Sequence, residues 1–170
     1  MKQIIERIGD LPYGAIMEIY EQSNRAAALE SAPDRDENVA LIQAEQALYA
    51  YLDEVFFARE GAFVALWAAE GGYRCALRME PYGDGYLLNG LETAPQHRGK
   101  GYAKALVQAV VDQMAVPVYS HVDRFNAASL RVHEACGFQV VQQEAVYLDG
   151  EVHPESLTLC RKTLSGENGY

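Results

Sequence analysis

The stretch APQHRGKGYAKALV, residues 94–107, combines two glycines with several cations at the head of a helical pattern. Gly99 and Gly101 let a backbone approach a ligand without interference from Cβ atoms. Arg98, Lys100 and Lys104 add positive charge. A helix N-terminus also presents unpaired N–H groups and a partial positive charge. This combination predicts a site for a phosphate-bearing ligand.

Two common phosphate-binding motifs do not fit this stretch. A Walker loop needs a lysine directly after its last glycine, and here Tyr102 follows Gly101. The dinucleotide fingerprint GxGxxG/A fits Gly99 and Gly101, but Lys104 occupies its third glycine position, and the stretch lies past mid-chain. For the glycine pair considered alone, a capped helix without any ligand is an equal alternative.

A longer pattern favours one class of ligand. The segment LETAPQHRGKGYA resembles the acyl-CoA-binding signature [QR]xxGx[GA] of the GNAT superfamily of N-acetyltransferases, through Gln96, Gly99 and Gly101. A second segment, NAASLRVHEACGF, resembles the family pattern NxxAxxxYxxxGF. It matches the pattern at Asn126, Gly137 and Phe138, with serine at position 129 and histidine at position 133. The resemblance covers roughly residues 60–160.

The resemblance implies acetyl transfer from acetyl-CoA to an amine by direct attack in a ternary complex. The backbone at the end of a strand would bond the pantetheine arm, and the amides of the glycine loop would bind the diphosphate. Asn126 would contact the cofactor and also cap a helix. No metal is expected. The expected cofactor-binding residues are Leu91, Glu92, Thr93, Arg98, Gly99, Lys100, Gly101, Tyr102, Ala103, Lys104, Asn126 and Ser129.

The reaction also needs a base that takes a proton from the amine. Glu92 is one candidate, and His121, five residues before Asn126, is another because related alanine acetyltransferases carry a glutamate base there. Strand alternation puts Asn89, which could hold a water, and Glu92 on opposite faces, and a β-bulge would change that. Glu92 and His121 remain equal candidates.

The leaving thiolate of CoA needs a proton donor, which in the family is often a tyrosine. His133 occupies that position here and can donate a proton near neutral pH. A packing role on the helix face is the alternative, and Tyr102 and Tyr147 are other candidate donors. The expected catalytic residues are therefore Glu92, His121 and His133.

The amine acceptor is expected to meet the N-terminal segment. Residues 1–60 carry twelve acidic side chains and five Lys or Arg. Residues 97–131 carry two acidic side chains and five Lys or Arg. An acidic, aromatic rim would attract a cationic amine such as a polyamine, an aminoglycoside, a lysine or an N-terminal amine. A solvated face over an ordinary core is the alternative. The candidate residues are Asp34, Asp36, Glu37, Tyr20, Tyr49, Tyr51, Phe56 and Phe57.

The periodicities predict an α/β fold. We expect a single GNAT-like domain over residues 1–165, with 166–170 as a frayed tail. A mixed, mostly antiparallel sheet of about six or seven strands would be flanked by about four helices, with a central parallel strand–helix–strand crossover. Strands are predicted at 2–8, 62–70, 73–80, 86–93 and 117–122, and two more in 138–164 around Asp149 and Gly150. Helices are predicted from Pro12, over 37–57, from Tyr102 and from Asn126 to Gly137.

Composition limits the other possibilities. A net charge of −10 disfavours nonspecific binding to nucleic acid. The chain has no apolar run long enough for a membrane span and no apolar core of a signal peptide, so a cytoplasmic protein is expected. Three cysteines without CxxC spacing predict free thiols.

Family members often form dimers, so the resemblance is compatible with a homodimer. The competing functions are a non-catalytic acyl-CoA-binding module and, more remotely, a nicotinamide-dependent oxidoreductase.

Overall fold

A computed structural model describes residues 1–163 of the chain, so the predicted tail at 166–170 lies outside the described residues. Seven strands form one sheet in the order β1-β2-β3-β4-β5-β9-β6, and β7 and β8 form a separate ribbon. The strands are β1 (Lys2–Ile5), β2 (Phe63–Ala69), β3 (Gly72–Tyr82), β4 (Gly85–Thr93), β5 (Val118–Asp123), β6 (Gln139–Gln142), β7 (Ala145–Val146), β8 (Val152–His153) and β9 (Ser156–Arg161). The helices are α1 (Tyr13–Ile19), α2 (Glu21–Ser31), α3 (Glu37–Tyr51), α4 (Tyr102–Val111) and α5 (Ala127–Ala135).

The parallel crossover predicted for the middle of the sheet is confirmed. Strands β4 and β5 are parallel, joined through α4, and every other neighbouring pair in the described sheet is antiparallel. The β4–β5 register runs only from Tyr86 to Leu88, opposite Val118 to Ser120. Beyond these pairs the two strands diverge, so the rest of β4 has no strand partner on its β5 side.

The two faces of the sheet bury two separate apolar clusters. On one face, α4 packs Leu106, Val107, Val110 and Val111 against the sheet, as its 3.6-residue period predicts. On the other face, α1 and the π-helical turn Leu52–Phe56 that continues α3 cover β2 and β3. Side chains of β3 therefore alternate between the clusters, which decides which of its polar residues meet α1–α3.

The N-terminal helical region differs from the single helix that its apolar pattern predicts. Tyr20, at φ −89° and ψ 14°, interrupts the helix between α1 and α2. Its ring is only 4 % exposed, and its hydroxyl donates a hydrogen bond to the carbonyl of Gly90, at 2.5 Å. Because of this break, the buried phenol of Tyr20 lies between the N-terminal helices and strand β4.

The C-terminal hairpin is more divided than predicted. Residues 147–151 form its turn at the predicted Asp149 and Gly150, but each arm contains two short strands. The inner pair, β7 and β8, leaves the main sheet, while β6 and β9 pair with each other and β9 also pairs with β5.

The three cysteines are free and buried, as predicted. In residues 1–163 we find no helix with the length and apolarity that a membrane span requires.

Candidate functional site

The divergence of β4 and β5 opens a cleft of about 860 Å³, which we call the cofactor cleft. The end of β4 forms one wall, and the N-terminal ends of α4 and α5 form the opposite wall. Helix α2 closes the side. Almost all of the sequence-predicted cofactor residues meet here. The cleft is lined by Gln22, Ser23, Ala26, Leu91, Glu92, Thr93, His97, Arg98, Gly99, Gly101, Tyr102, Ala103, Lys104, Asn126, Ala128, Ser129 and Val132.

The glycine loop takes its shape from left-handed backbone. Gly99 has φ +76° and Gly101 φ +80°, a conformation that side chains other than glycine rarely adopt. A Cβ atom at either position would meet no atom within 4 Å, so both glycines border open space. Helix α4 begins directly after Gly101, and no side chain caps it. Its first amides therefore have no side-chain acceptor of their own, which is the state in which a helix end binds phosphate.

The three cationic side chains of the loop, Arg98, Lys100 and Lys104, do not all point into the cleft. Arg98 donates from Nε to the carbonyl of Thr93, at 3.2 Å, which ties the loop back to β4. Lys100 points instead to Glu70 in the β2–β3 turn, with Nζ and Oε2 3.5 Å apart, and this lysine lowers the pKa of Glu70. Lys100 is the one predicted cofactor residue that does not line the cleft. Arg98 and Lys104 line it and supply its positive charge.

Asn126 combines the two roles predicted for it. Its Oδ1 accepts a hydrogen bond from the Ser129 amide at 3.0 Å, so it caps α5. The same residue lines the cofactor cleft together with Ser129. The cap fixes the amide group at the mouth of the cleft.

A β-bulge in β4 brings Glu92 and Asn89 to the same face of the sheet. Ala76 pairs with Glu92 and Arg78 pairs with Asn89, so two steps along β3 correspond to three steps along β4. Gly90, at φ +57°, lies in the bulge. The simple alternation that separates residues 89 and 92 fails at this point, and Glu92 faces the N-terminal helices.

Glu92 lies where the cofactor cleft meets a second cavity of about 640 Å³. Its side chain and Ser23 line both spaces. Burial raises the pKa of the Glu92 carboxyl, and the nearby Ser23 hydroxyl and the positive charges of Arg98 and Arg78 oppose that rise. A carboxylate with a raised pKa, reached from both cavities, is suited to take a proton from an amine.

The second cavity, which we call the acceptor cavity, lies between α2, α3 and the face of β3 and β4. Two aromatic rings and one guanidinium, those of Tyr20, Tyr51 and Arg78, form its most distinctive surface. Glu30 and Glu92 are its only acidic lining residues in the described part of the chain. The remaining lining residues are Ser23, Asn24, Ala27, Ser31, Gln43, Ala44, Ala47 and Leu48.

His121 lines neither cavity. On β5 it is half-buried among aromatic rings, with centroids 5.5 Å from Tyr82 and 4.9 Å from Tyr147. Neither of its ring nitrogens has a hydrogen-bond partner among residues 1–163. Burial, followed by the charge of His153, lowers the pKa of His121. Both effects favour the uncharged form of the ring, which packs against Tyr147.

His133 also lies outside both cavities. Its side chain is 1 % exposed and packs edge-on against Phe138, with centroids 5.0 Å apart. Nδ1 lies 2.8 Å from the Ser129 carbonyl, so a proton on Nδ1 would be donated to it, while Nε2 has no partner among the described residues. Burial lowers the pKa of His133. The structure thus brings Glu92, but neither histidine, to the junction of the cavities.

Most of the acidic and aromatic residues predicted at the acceptor rim have local structural contacts. Asp36 caps α3 by accepting from the amides of Asn38 and Val39. Glu37 forms an ion pair with Arg25 at 2.7 Å, and Phe56 is fully buried. Of the eight predicted rim residues, Tyr20 and Tyr51 are the two that line the acceptor cavity.

Sequence reasoning missed Arg78. The signal was the strand segment RCALRME, in which Arg78 and Glu80 interrupt an apolar run at a spacing of two. Charged side chains on one face of a central strand are expensive to bury without partners. Their recurrence at period two therefore marks a polar site under the helices.

The comparisons with known proteins agree with this geometry. The model of the acetyltransferase (GNAT) family matches residues 14–138. The chain therefore belongs to the GNAT acetyltransferase family. A search of curated proteins found no match to this chain.

Solved structures of GNAT proteins share the fold at low sequence identity. PaiA N-acetyltransferase from Thermoplasma acidophilum, in complex with coenzyme A, is 14% identical, with a TM-score of 0.63 over 95% of this chain and 99% of its own. Ribosomal-protein-alanine N-acetyltransferase from Brucella melitensis is 18% identical, with a TM-score of 0.59 over 95% and 99%. An aminoglycoside acetyltransferase in complex with coenzyme A and kanamycin is 15% identical, with a TM-score of 0.62 over 96% and 95%.

Proposed function

We propose that the protein transfers the acetyl group of acetyl-CoA to the primary amine of a small molecule or peptide, by direct attack within a ternary complex. The observation that carries this proposal is the position of Glu92 at the junction of two cavities. One cavity has the features of a diphosphate and thioester site, and the other has room for an acceptor. The structures of family members with bound coenzyme A support the assignment of the first cavity.

The residues around the cofactor cleft divide the binding of acetyl-CoA between them. Amides at the start of α4 would donate hydrogen bonds to the diphosphate, with Arg98 and Lys104 adding charge. The part of β4 beyond Leu88 lacks a strand partner on its β5 side, so its backbone groups are available to the pantetheine amides. One β4 amide would also stabilise the negative charge that develops on the thioester oxygen.

Glu92 would act as the base. An ammonium ion cannot attack a thioester, so the amine must lose a proton before or during attack. The carboxylate of Glu92 accepts that proton, directly or through one water. Its raised pKa brings its proton affinity closer to that of the amine. The geometry favours Glu92 over His121, since the imidazole of His121 faces neither cavity.

The test is a panel of primary amines with acetyl-CoA, followed by release of the CoA thiol. We expect turnover with at least one acceptor, and Glu92→Gln should lower kcat by roughly 10²- to 10⁴-fold. The melting shift that acetyl-CoA produces should persist in this variant. Thiol release that is unchanged in Glu92→Gln would exclude Glu92 as the base.

The stability of the Glu92→Gln variant provides a control, because the direction in which the free energy of unfolding should change with pH is known. Burial raises the pKa of Glu92 above its ordinary value of 4.5, so the folded state holds this proton more tightly than the unfolded state. The free energy of unfolding therefore falls as pH rises from 4.5 through the folded pKa. Glu92→Gln removes this loss of stability and should melt no lower than wild type at neutral pH.

Binding of acetyl-CoA without thiol release for any amine would indicate a non-catalytic acyl-CoA-binding module instead.

A further inference from the structure

Arg78 is the cationic side chain of the acceptor cavity, and it forms no ion pair with a carboxylate of the described residues. Its Nε donates to Oδ1 of Asn89 at 3.0 Å, which is its one side-chain hydrogen bond within residues 1–163. No described Asp or Glu lies within ion-pair distance of it. A half-buried guanidinium with free N–H groups is costly unless a ligand or solvent satisfies it.

Aromatic rings hold this guanidinium in place. Its Cζ lies 5.9 Å from the ring centroid of Tyr20 and 5.4 Å from that of Tyr51. The backbone of Gly90 lies directly beside it, since a Cβ at that position would come within 2.5 Å of Nε. These contacts restrict the planar group before any ligand binds, which lowers the entropy cost of recognising a planar anion.

A buried network engages the carboxylate of Glu80, which lies two residues from Arg78 along β3. Glu80 is 2 % exposed and forms an ion pair with Arg59, which neutralises its charge. The amide nitrogen of Asn89 donates to the other oxygen of Glu80, so the Asn89 oxygen is turned towards Arg78. Asn89 thereby orients Arg78 through a neutral acceptor, while Glu80 forms its ion pair with Arg59 and not with Arg78.

The second charged group of the site is Glu92, on the same sheet face. It pairs with Ala76, two residues from Arg78 along β3. Diagonal cross-strand neighbours of this kind are roughly 7–8 Å apart at their Cα atoms. The positive charge of Arg78 acts on the Glu92 carboxyl and lowers its pKa, in opposition to burial. The cavity therefore presents a carboxylate at the cofactor junction and a guanidinium a short distance further along the strand.

We infer that the acceptor is a small amino-acid-like molecule whose carboxylate binds Arg78 while its primary amine meets Glu92. This inference rests on the proposed acetyltransferase function. The amine and the carboxylate would be separated by a few bonds, as in an α-, β- or γ-amino acid. A fixed guanidinium binds a carboxylate by donating two parallel hydrogen bonds to its oxygens. The same charge repels a polycation, which distinguishes this acceptor from the polyamines and aminoglycosides expected from the acidic N-terminal segment.

The experiment compares each amino acid with its own carboxamide. Acetyl-CoA and purified protein are incubated with glycine, β-alanine, γ-aminobutyric acid and the proteinogenic α-amino acids, and with the matching amides, while thiol release is followed. For the preferred acceptor, wild type should favour the acid over the amide roughly 10- to 100-fold in kcat/KM, because a charged hydrogen-bond pair is lost in the amide. Arg78→Gln should reduce this ratio to near one, and Arg78→Lys should retain part of it.

Two controls separate the possible failures. Arg7→Gln removes an exposed arginine that lines neither cavity and should leave the ratio unchanged. Melting shifts caused by the same acids and amides, in wild type and Arg78→Gln, report binding without turnover. Acids that stabilise wild type but not Arg78→Gln, without thiol release, would support the carboxylate site and contradict the acetyltransferase function. Turnover of amides as fast as acids, or the absence of any acid-dependent shift and turnover, would overturn the inference.

Discussion

The cofactor cleft and the acceptor cavity meet at Glu92, yet they are built in different ways. The cofactor cleft uses backbone: two left-handed glycines, an uncapped helix end and a stretch of β4 that has no partner on its β5 side. The acceptor cavity uses side chains, chiefly Arg78 with Tyr20 and Tyr51 around it. A backbone site depends on a short local segment, whereas a side-chain site depends on how distant segments pack.

This difference has a chemical consequence. Every acetyl-CoA molecule offers the same diphosphate and pantetheine, so one backbone arrangement serves all acceptors. Acceptors differ in charge and shape, and side chains can change without disturbing the sheet. Substitutions in the two regions should therefore separate cofactor binding from acceptor selection, with Glu92 as the one residue that affects chemistry from both sides.

Among substitutions that act on one region alone, the largest effect is expected in the backbone site, from Gly101→Glu. The new side chain would project into open space beside the start of α4, where no atom lies within 4 Å of its Cβ. Its carboxylate would repel the diphosphate and compete for the helix amides, weakening acetyl-CoA on the order of 100-fold. The acetyl-CoA-dependent rise in melting temperature should disappear.

Gly101→Ala is the matched control for that experiment. Both variants place a Cβ at φ +80°, so both carry the same left-handed strain. Alanine adds no charge and should retain most of the melting shift. An equal loss in both variants would mean that backbone strain, not the anion site, explains the effect, and retention of binding in Gly101→Glu would refute the assignment of the loop.

The backbone site was largely predictable from the sequence. Gly99, Gly101 and the apolar period of α4 are local signals, and the bond between Asn126 and the Ser129 amide spans only three residues. The order of strands and helices followed from similar short-range patterns. The alternation that would separate Asn89 from Glu92 was broken by one bulge at Gly90, whose effect on the pairing only the register establishes.

The acceptor cavity could not be predicted in the same way. Tyr20, Tyr51 and Arg78 come from three elements separated by about thirty residues each, and their meeting depends on the break between α1 and α2. The acidic composition of residues 1–60 favoured a cationic amine as the acceptor. In the structure, Asp36 caps a helix and Glu37 forms an ion pair, while Arg78 lines the cavity together with Glu30 and Glu92.

An intermediate effect is expected from Gly90→Ala, which lies in the bulge between the two regions. At φ +57° an alanine is strained, and its Cβ would come within 2.5 Å of Arg78 Nε. We expect a loss of about 1–3 kcal/mol in the free energy of unfolding. Because the guanidinium must shift, kcat/KM for the acceptor should also fall about tenfold, by the weakening of a charged hydrogen bond.

Acetyl-CoA binding should change little in Gly90→Ala, since the residue does not line the cofactor cleft. Gly14→Ala is its control, because Gly14 lies in α1 with open space around it and gains helix propensity. Thermal melting with and without acetyl-CoA measures the first expectation, and steady-state thiol release the second. If Gly90→Ala lost cofactor affinity and acceptor selectivity together, the division between the two regions would not hold.

The smallest effect is expected from His133→Gln, which tests whether chemistry extends beyond the two cavities. Burial lowers the pKa of His133, so the folded state keeps the ring neutral while the unfolded state protonates it near 6.5. Stability from this residue is therefore lost as pH falls below 6.5 toward the folded pKa. Glutamine does not titrate and can still donate a hydrogen bond to the Ser129 carbonyl, so the melting temperature of His133→Gln should depend less on pH between 7.5 and 5.5.

Turnover in His133→Gln should change far less than the roughly 100-fold expected for loss of a proton donor. A large fall in kcat with unchanged KM for acetyl-CoA would instead establish His133 as the donor to the leaving thiolate, and would extend the reacting centre into the core beneath α5.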